Sequence, residues 1–144
     1  MPRDGAMNSR DWLVLTLESQ SEPIRIQKTL FKFSEESGLP KRVLYKFQPY
    51  NWGAFSAKIY SDLDELVGLG LVGRSPHPGS SWADYSLTPA GSRLAGRLRN
   101  QAGEKGLGVL AQISAWVEAR PFAQLLRDVY ADYPEMASRS LFSH

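Results

Sequence analysis

Nine side chains carry the chemistry this sequence offers: Lys41, Arg42, Lys46, Tyr50, Trp52, Lys58, Ser61, Arg74 and His77. Lysine and arginine pair with anionic oxygens, a hydroxyl bonds to polar edges, and tyrosine and tryptophan faces stack on flat rings. Such a set suits a polyanion better than bond-breaking. Metal chemistry needs clustered His, Cys or carboxylate ligands, and the chain has no cysteine and two histidines 67 positions apart. A Ser-His-acid arrangement would need a Gly-x-Ser-x-Gly elbow, which the sequence lacks. The run 68–73 has the letters Gly-x-Gly-x-x-Gly, but it follows a helical pattern and opens a strand, the reverse of the dinucleotide-binding context. No catalytic, metal or cofactor site is expected.

The elements that must position these residues follow from length, charge and periodicity. At 144 residues the chain suits one domain burying roughly 68% of its unfolded surface. Without cysteine there is no disulfide framework, and no apolar run approaches the roughly 18 residues of a membrane span. The first residues lack an apolar leader core, so a cytoplasmic protein without a membrane partner is expected. The net charge of +2 divides unevenly: residues 1–101 hold 13 Lys+Arg against 10 Asp+Glu, and residues 102–144 hold 4 against 5. A polyanion would therefore meet the N-terminal part.

A first helix is expected over 9–18, capped by Asn8 or Ser9. Residues 23–26 read as a short strand able to pair with a later hairpin. Ile26, Leu30 and Phe33 mark a second helix showing Lys28, Lys32, Glu35 and Glu36 on its other face, with Gly38 and Pro40 as its stop. The connection 38–55 is long, and its aromatics Tyr45, Phe47, Tyr50, Trp52 and Phe55 serve either as packing or as a stacking platform, Tyr50 and Trp52 being the candidates for exposure. Phe55, Ile59, Leu63, Leu66 and Val67 form the stripe of a third helix, with Ser56 as candidate N-cap and Lys58, Ser61, Asp64 and Glu65 opposite the stripe. Gly68 and Gly70 end it. Two apolar strands follow, separated by the polar tip 75–81, and Thr88-Pro89 starts a fourth helix. A break is expected over 100–108, then helices over 107–119 and 121–133 whose apolar stripes need a mate within the chain or across a dimer axis.

This order of elements over residues 9–99 resembles the winged helix-turn-helix superfamily. The stretch from Gly70-Leu71-Val72 through Tyr85-Ser86-Leu87-Thr88-Pro89-Ala90-Gly91 is similar to the wing and following helix of regulators of the multiple-antibiotic-resistance and phenolic-acid-response types. More particular is Tyr45-Lys46-Phe47-Gln48-Pro49-Tyr50-Asn51-Trp52-Gly53-Ala54-Phe55-Ser56. It resembles the Tyr-x-Phe-x-Pro-Tyr-x-Tyr-Gly-Pro-Phe-Ser element of a little-characterised, phage-associated prokaryotic winged-helix family, which also has a Tyr-Pro-Glu element like 133–135. Trp52 stands in place of the family's Tyr and Ala54 in place of its Pro. The resemblance implies a mainly α fold with a small β-hairpin (α+β), a winged helix-turn-helix over 9–99 and a C-terminal helical extension over 109–144. It brings no settled activity.

On a winged helix the third helix enters the major groove and the hairpin tip touches backbone or minor groove. Lys58 and Ser61 would then contact bases or phosphate, with Lys41, Arg42 and Lys46 on the preceding loop, Arg74 and His77 on the wing, and Tyr50 and Trp52 stacking. The expected function is double-stranded DNA binding by a homodimer, in transcription regulation or a mobile-element role. Asp62, Asp64 and Glu65 oppose this, since each carboxylate repels phosphate. The alternative is a winged helix used as a protein-interaction or assembly module. His77 either reaches phosphate or senses pH, or is simply solvated.

Overall fold

The structure, a computed structural model, describes residues 7–142. Of the residues read above for a leader (1–7), 1–6 lie outside that range, as do 143–144. The chain is α+β, mainly helical with two small antiparallel hairpins. No helix among the described residues is long and apolar enough to cross a membrane.

Helix α1 (Ser9–Thr16) opens with a capping box, Asn8 accepting from the Asp11 backbone N–H while Asp11 accepts from that of Asn8. Its Trp12, Leu13, Val14 and Leu15 are all buried. Helix α2 (Pro23–Glu36) takes Pro23 in its first turn, so 23–26 is helical and the strand expected there is absent. The proline's fixed φ suits a helix start, and the Ile26–Leu30–Phe33 stripe extends back to it. What remains of a third strand is one bond, from the Tyr85 backbone N–H to the Ser21 carbonyl at 2.9 Å.

Helix α2 is the central helix, and here the expected exposure of its basic face is corrected. Lys28 and Lys32 are 2% and 5% exposed. Helices α5 (Glu104–Glu118) and α6 (Phe122–Asp132) supply the cover. Lys32 Nζ lies 4.1 Å from the Trp116 ring centroid on α5 and 2.8 Å from Glu36. The apolar stripes of both C-terminal helices are consumed within the chain: Leu110, Ile113 and Val117 from α5, and Leu125, Leu126 and Val129 from α6, are buried.

The long connection forms a 3-10 turn (Lys41–Val43) and then a hairpin not anticipated from sequence, β1 (Gln48–Tyr50) with β2 (Gly53–Phe55). Gly53 sits at φ +95°, where a side chain is strained. Gln27 anchors this hairpin on α2 with both ends of its amide: its nitrogen donates to the Ser56 carbonyl and its oxygen accepts from the Ser56 N–H, each at 2.9 Å. Ser56 occupies the N-cap of α3 (Ala57–Gly68), but its side chain makes no capping bond.

Helix α3 passes through Gly70, at φ +75°, into β3 (Val72–Pro76), which pairs with β4 (Ala83–Leu87) in the register Val72 to Leu87 and Pro76 to Ala83. Thr88 caps α4 (Pro89–Gln101) through the Gly91 N–H at 3.1 Å. The same hydroxyl donates to the Gly70 carbonyl at 2.7 Å. Only 102 and 103 separate α4 from α5, a shorter break than 100–108. After α6 a 3-10 turn (Pro134–Ala137) leads to a tail whose Leu141 N–H bonds the Asn51 carbonyl at 2.7 Å, on the first hairpin and not on the tip of the second.

Candidate functional site

The α3 face and the hairpin that follows it place most of the expected site residues on one side. Tyr45 is the tether. Its ring is buried, its hydroxyl donates to Asp62 Oδ2 at 2.7 Å, and Lys58 Nζ donates to that same oxygen at 2.9 Å while lying 5.5 Å from the Tyr45 ring. Burial, then the Asp62 carboxylate, push the Tyr45 hydroxyl well above its ordinary pKa, so it remains a donor. Asp62 is buried, where the helical wheel places it at an edge. Lys46 follows Tyr45 directly and is exposed, as is Arg42; neither has an ion-pair partner among the described residues. Lys41 is tied back to α2, its Nζ donating to the Ser34 carbonyl at 2.6 Å and lying 3.5 Å from Glu35. Ser61 is exposed on α3.

Carboxylates answer the remaining cations of this face. Arg74 bonds Asp64 at 2.8 Å, and Arg10 pairs with Glu65. Exposed pairs of this kind contribute about 0–1 kcal/mol each, yet they bring the local charge close to neutral. His77 is not a freely solvated loop histidine. Its Nδ1 lies 2.9 Å from Asp84 and its ring stacks on Trp82, centroids 5.1 Å apart.

Tyr50 and Trp52 belong elsewhere. Both are 40% exposed, in agreement with their being the candidates for exposure in the aromatic run, but they sit on the first hairpin. Tyr50 packs on Phe55 at 4.8 Å, with the Arg139 guanidinium 6.0 Å from its ring. Trp52 meets Phe122 of α6 edge-on at 5.9 Å. It faces a cleft of about 470 Å³ shared with Pro23, Ile24, Tyr60, Trp82 and Phe122 and rimmed by Glu22 and Arg25. An adjoining recess of about 230 Å³ shares Ile24, Trp52 and Tyr60 with the cleft and is also lined by Lys28. Neither Tyr60 nor Phe122 signals such a site in the sequence, because both fall in helical patterns that read as core. Lys28 reads as solvated.

Among the described residues no cluster of His, Cys, Asp and Glu could hold a metal ion. Comparison with family models, curated proteins and solved structures finds no match.

Proposed function

We propose that this chain is a winged-helix protein that binds duplex DNA through α3, the 41–46 turn and the β3–β4 hairpin. The observation that supports this reading is the Tyr45–Asp62 tether: it holds the turn bearing Arg42 and Lys46, which have no ion-pair partner among the described residues, against the helix bearing Lys58 and Ser61, and that helix runs directly into a hairpin. With Asp64 and Glu65 on the same helix, affinity comes mainly from phosphate contacts at the edges of the face, and base readout is weak. A regulatory or mobile-element role in the cytoplasm goes with this reading. A homodimer through the C-terminal helices would use their outer faces, because their inner stripes are buried within one chain.

The test is binding to mixed-sequence duplex DNA from low to moderate salt. The expected result is an affinity that falls steeply with salt and is lost in Arg42→Glu/Lys46→Glu, with the far-ultraviolet spectrum unchanged. A second reading, a protein-assembly module, is favoured by the internal pairing of Arg74 with Asp64 and Arg10 with Glu65, which leaves little free positive charge. Salt-insensitive self-association without DNA affinity would select it.

A further inference from the structure

The aromatic cleft takes one ring from α3 and one from the β3–β4 hairpin, but none of Lys41, Arg42, Lys46, Lys58 and Arg74 lines it. Its rings come from four separate elements: Trp52 from the β1–β2 turn, Tyr60 from α3, Trp82 from the residue before β4, and Phe122 from the start of α6. Three of these, Trp52, Trp82 and Phe122, are 40–48% exposed, so the fold leaves large apolar rings facing water in one place. A volume of about 470 Å³ is within the range of small-molecule sites.

The adjoining recess supplies the polar group. Lys28 is 2% exposed, has no carboxylate partner among the described residues, and makes one hydrogen bond, to the Ala54 carbonyl at 3.3 Å. An ammonium has three donors, so two are without a partner among the described residues, and Lys28 lines a recess that shares Ile24, Trp52 and Tyr60 with the cleft. Gln27, which also lines the recess, has both ends of its amide engaged by Ser56. A buried lysine without a counter-ion costs stability, and such a group beside an apolar cleft is a candidate ligand contact.

We propose that the cleft and recess together bind a small aromatic carboxylate, its flat ring among Trp52, Tyr60, Trp82 and Phe122 and its carboxylate on the Lys28 ammonium. The walls are apolar and flat-ringed, which selects a ring system. The buried cation of the recess, with one hydrogen bond among the described residues, selects an anion, and its burial favours an anionic ligand over neutral analogues. The Glu22 carboxylate at the rim lies 3.3 Å from Arg25, so it is already partnered and does not favour a cationic ligand. The proposal rests on the lining of the cleft and recess and not on what the cations of α3 and the 41–46 turn meet.

The experiment titrates the full chain with 2-naphthoate, 2-naphthylmethanol, 2-naphthylmethylamine and decanoate, read by tryptophan fluorescence and calorimetry. The expected order places 2-naphthoate first, roughly tenfold or more above the alcohol. Lys28→Met and Lys28→Gln should both erase that preference while keeping the alcohol's affinity, and Trp82→Ala should weaken both ring ligands together. Decanoate equal to 2-naphthoate would refute the ring requirement. Equal binding of acid and alcohol, an unchanged preference in both Lys28 variants, or no saturable binding would each overturn the proposal.

Discussion

Lys58 and Asp62, one helical turn apart on α3, share a 2.9 Å ion pair, and the same carboxylate oxygen is the acceptor for the buried Tyr45 hydroxyl. The pair thus joins the single cation of the helix to the bond that holds the preceding loop in place. Asp62→Ala removes the acceptor of the buried Tyr45 hydroxyl, with an expected loss of about 1–3 kcal/mol. Tyr45→Phe deletes the hydroxyl itself, so that no donor is stranded, and should cost about 1 kcal/mol or less. Urea unfolding of the two variants checks the order.

Lys28 should be a stability liability. Its burial lowers its pKa from 10.5 to about 7. Between those values the unfolded chain binds more protons than the folded one, so stability rises with pH from about 7 towards 10.5, and below about 7 the full penalty is present. Lys28→Met is expected to stabilise the protein by on the order of 3 kcal/mol near neutral pH, the gain shrinking as pH approaches 10. Melting temperatures of both proteins at pH 6, 8 and 10 check the sign; a gain that grows with pH would contradict it.

Gly91 is a packing requirement. A Cβ there would lie 1.9 Å from the Leu71 carbonyl oxygen, a backbone atom that cannot turn aside. Gly91→Ala should cost about 1–3 kcal/mol, whereas Gly96→Ala on the same helix meets nothing within 4 Å and should gain a few tenths from helix propensity. Thermal unfolding of the two alanine variants separates the effects.

The Gln27 amide is the latch of the first hairpin. Gln27→Ala breaks both 2.9 Å bonds and leaves the Ser56 N–H and carbonyl without those partners, with an expected loss of about 2–4 kcal/mol. Hydrogen exchange should accelerate over residues 48–56 ahead of the rest of the chain.

Local signals made much of this architecture readable. The stripe from Ile59 to Leu66, the glycines after it and the Thr88-Pro89 start all mark their elements within a few residues of the observed bounds. The burial of Lys28 and Lys32 was not readable, because a helical wheel places lysines outside and the covering α5 and α6 lie more than 70 positions downstream. Residues 23–26 carry β-branched side chains that suit a strand, and the proline ahead of a long amphipathic stripe outweighs them. The β1–β2 hairpin has strands of three residues, too short to show alternation. Of the candidate site, Lys58, Ser61 and Arg74 fall on α3 and the hairpin that follows it; the Lys58–Asp62 pair is legible as i,i+4 spacing on one helix, whereas the Arg74–Asp64 pair depends on register between elements. Trp52 belongs to a cleft assembled from segments up to 100 positions apart, which no local pattern marks.

The hilt of the second hairpin is riveted. Thr88 holds the Gly70 and Leu71 carbonyls, at 2.7 and 3.1 Å, and Gly91 lets α4 close on the same spot. The root of the ribbon is thus tied at one point to the end of α3 and to the start of α4, so the ribbon and both helices share a single anchor.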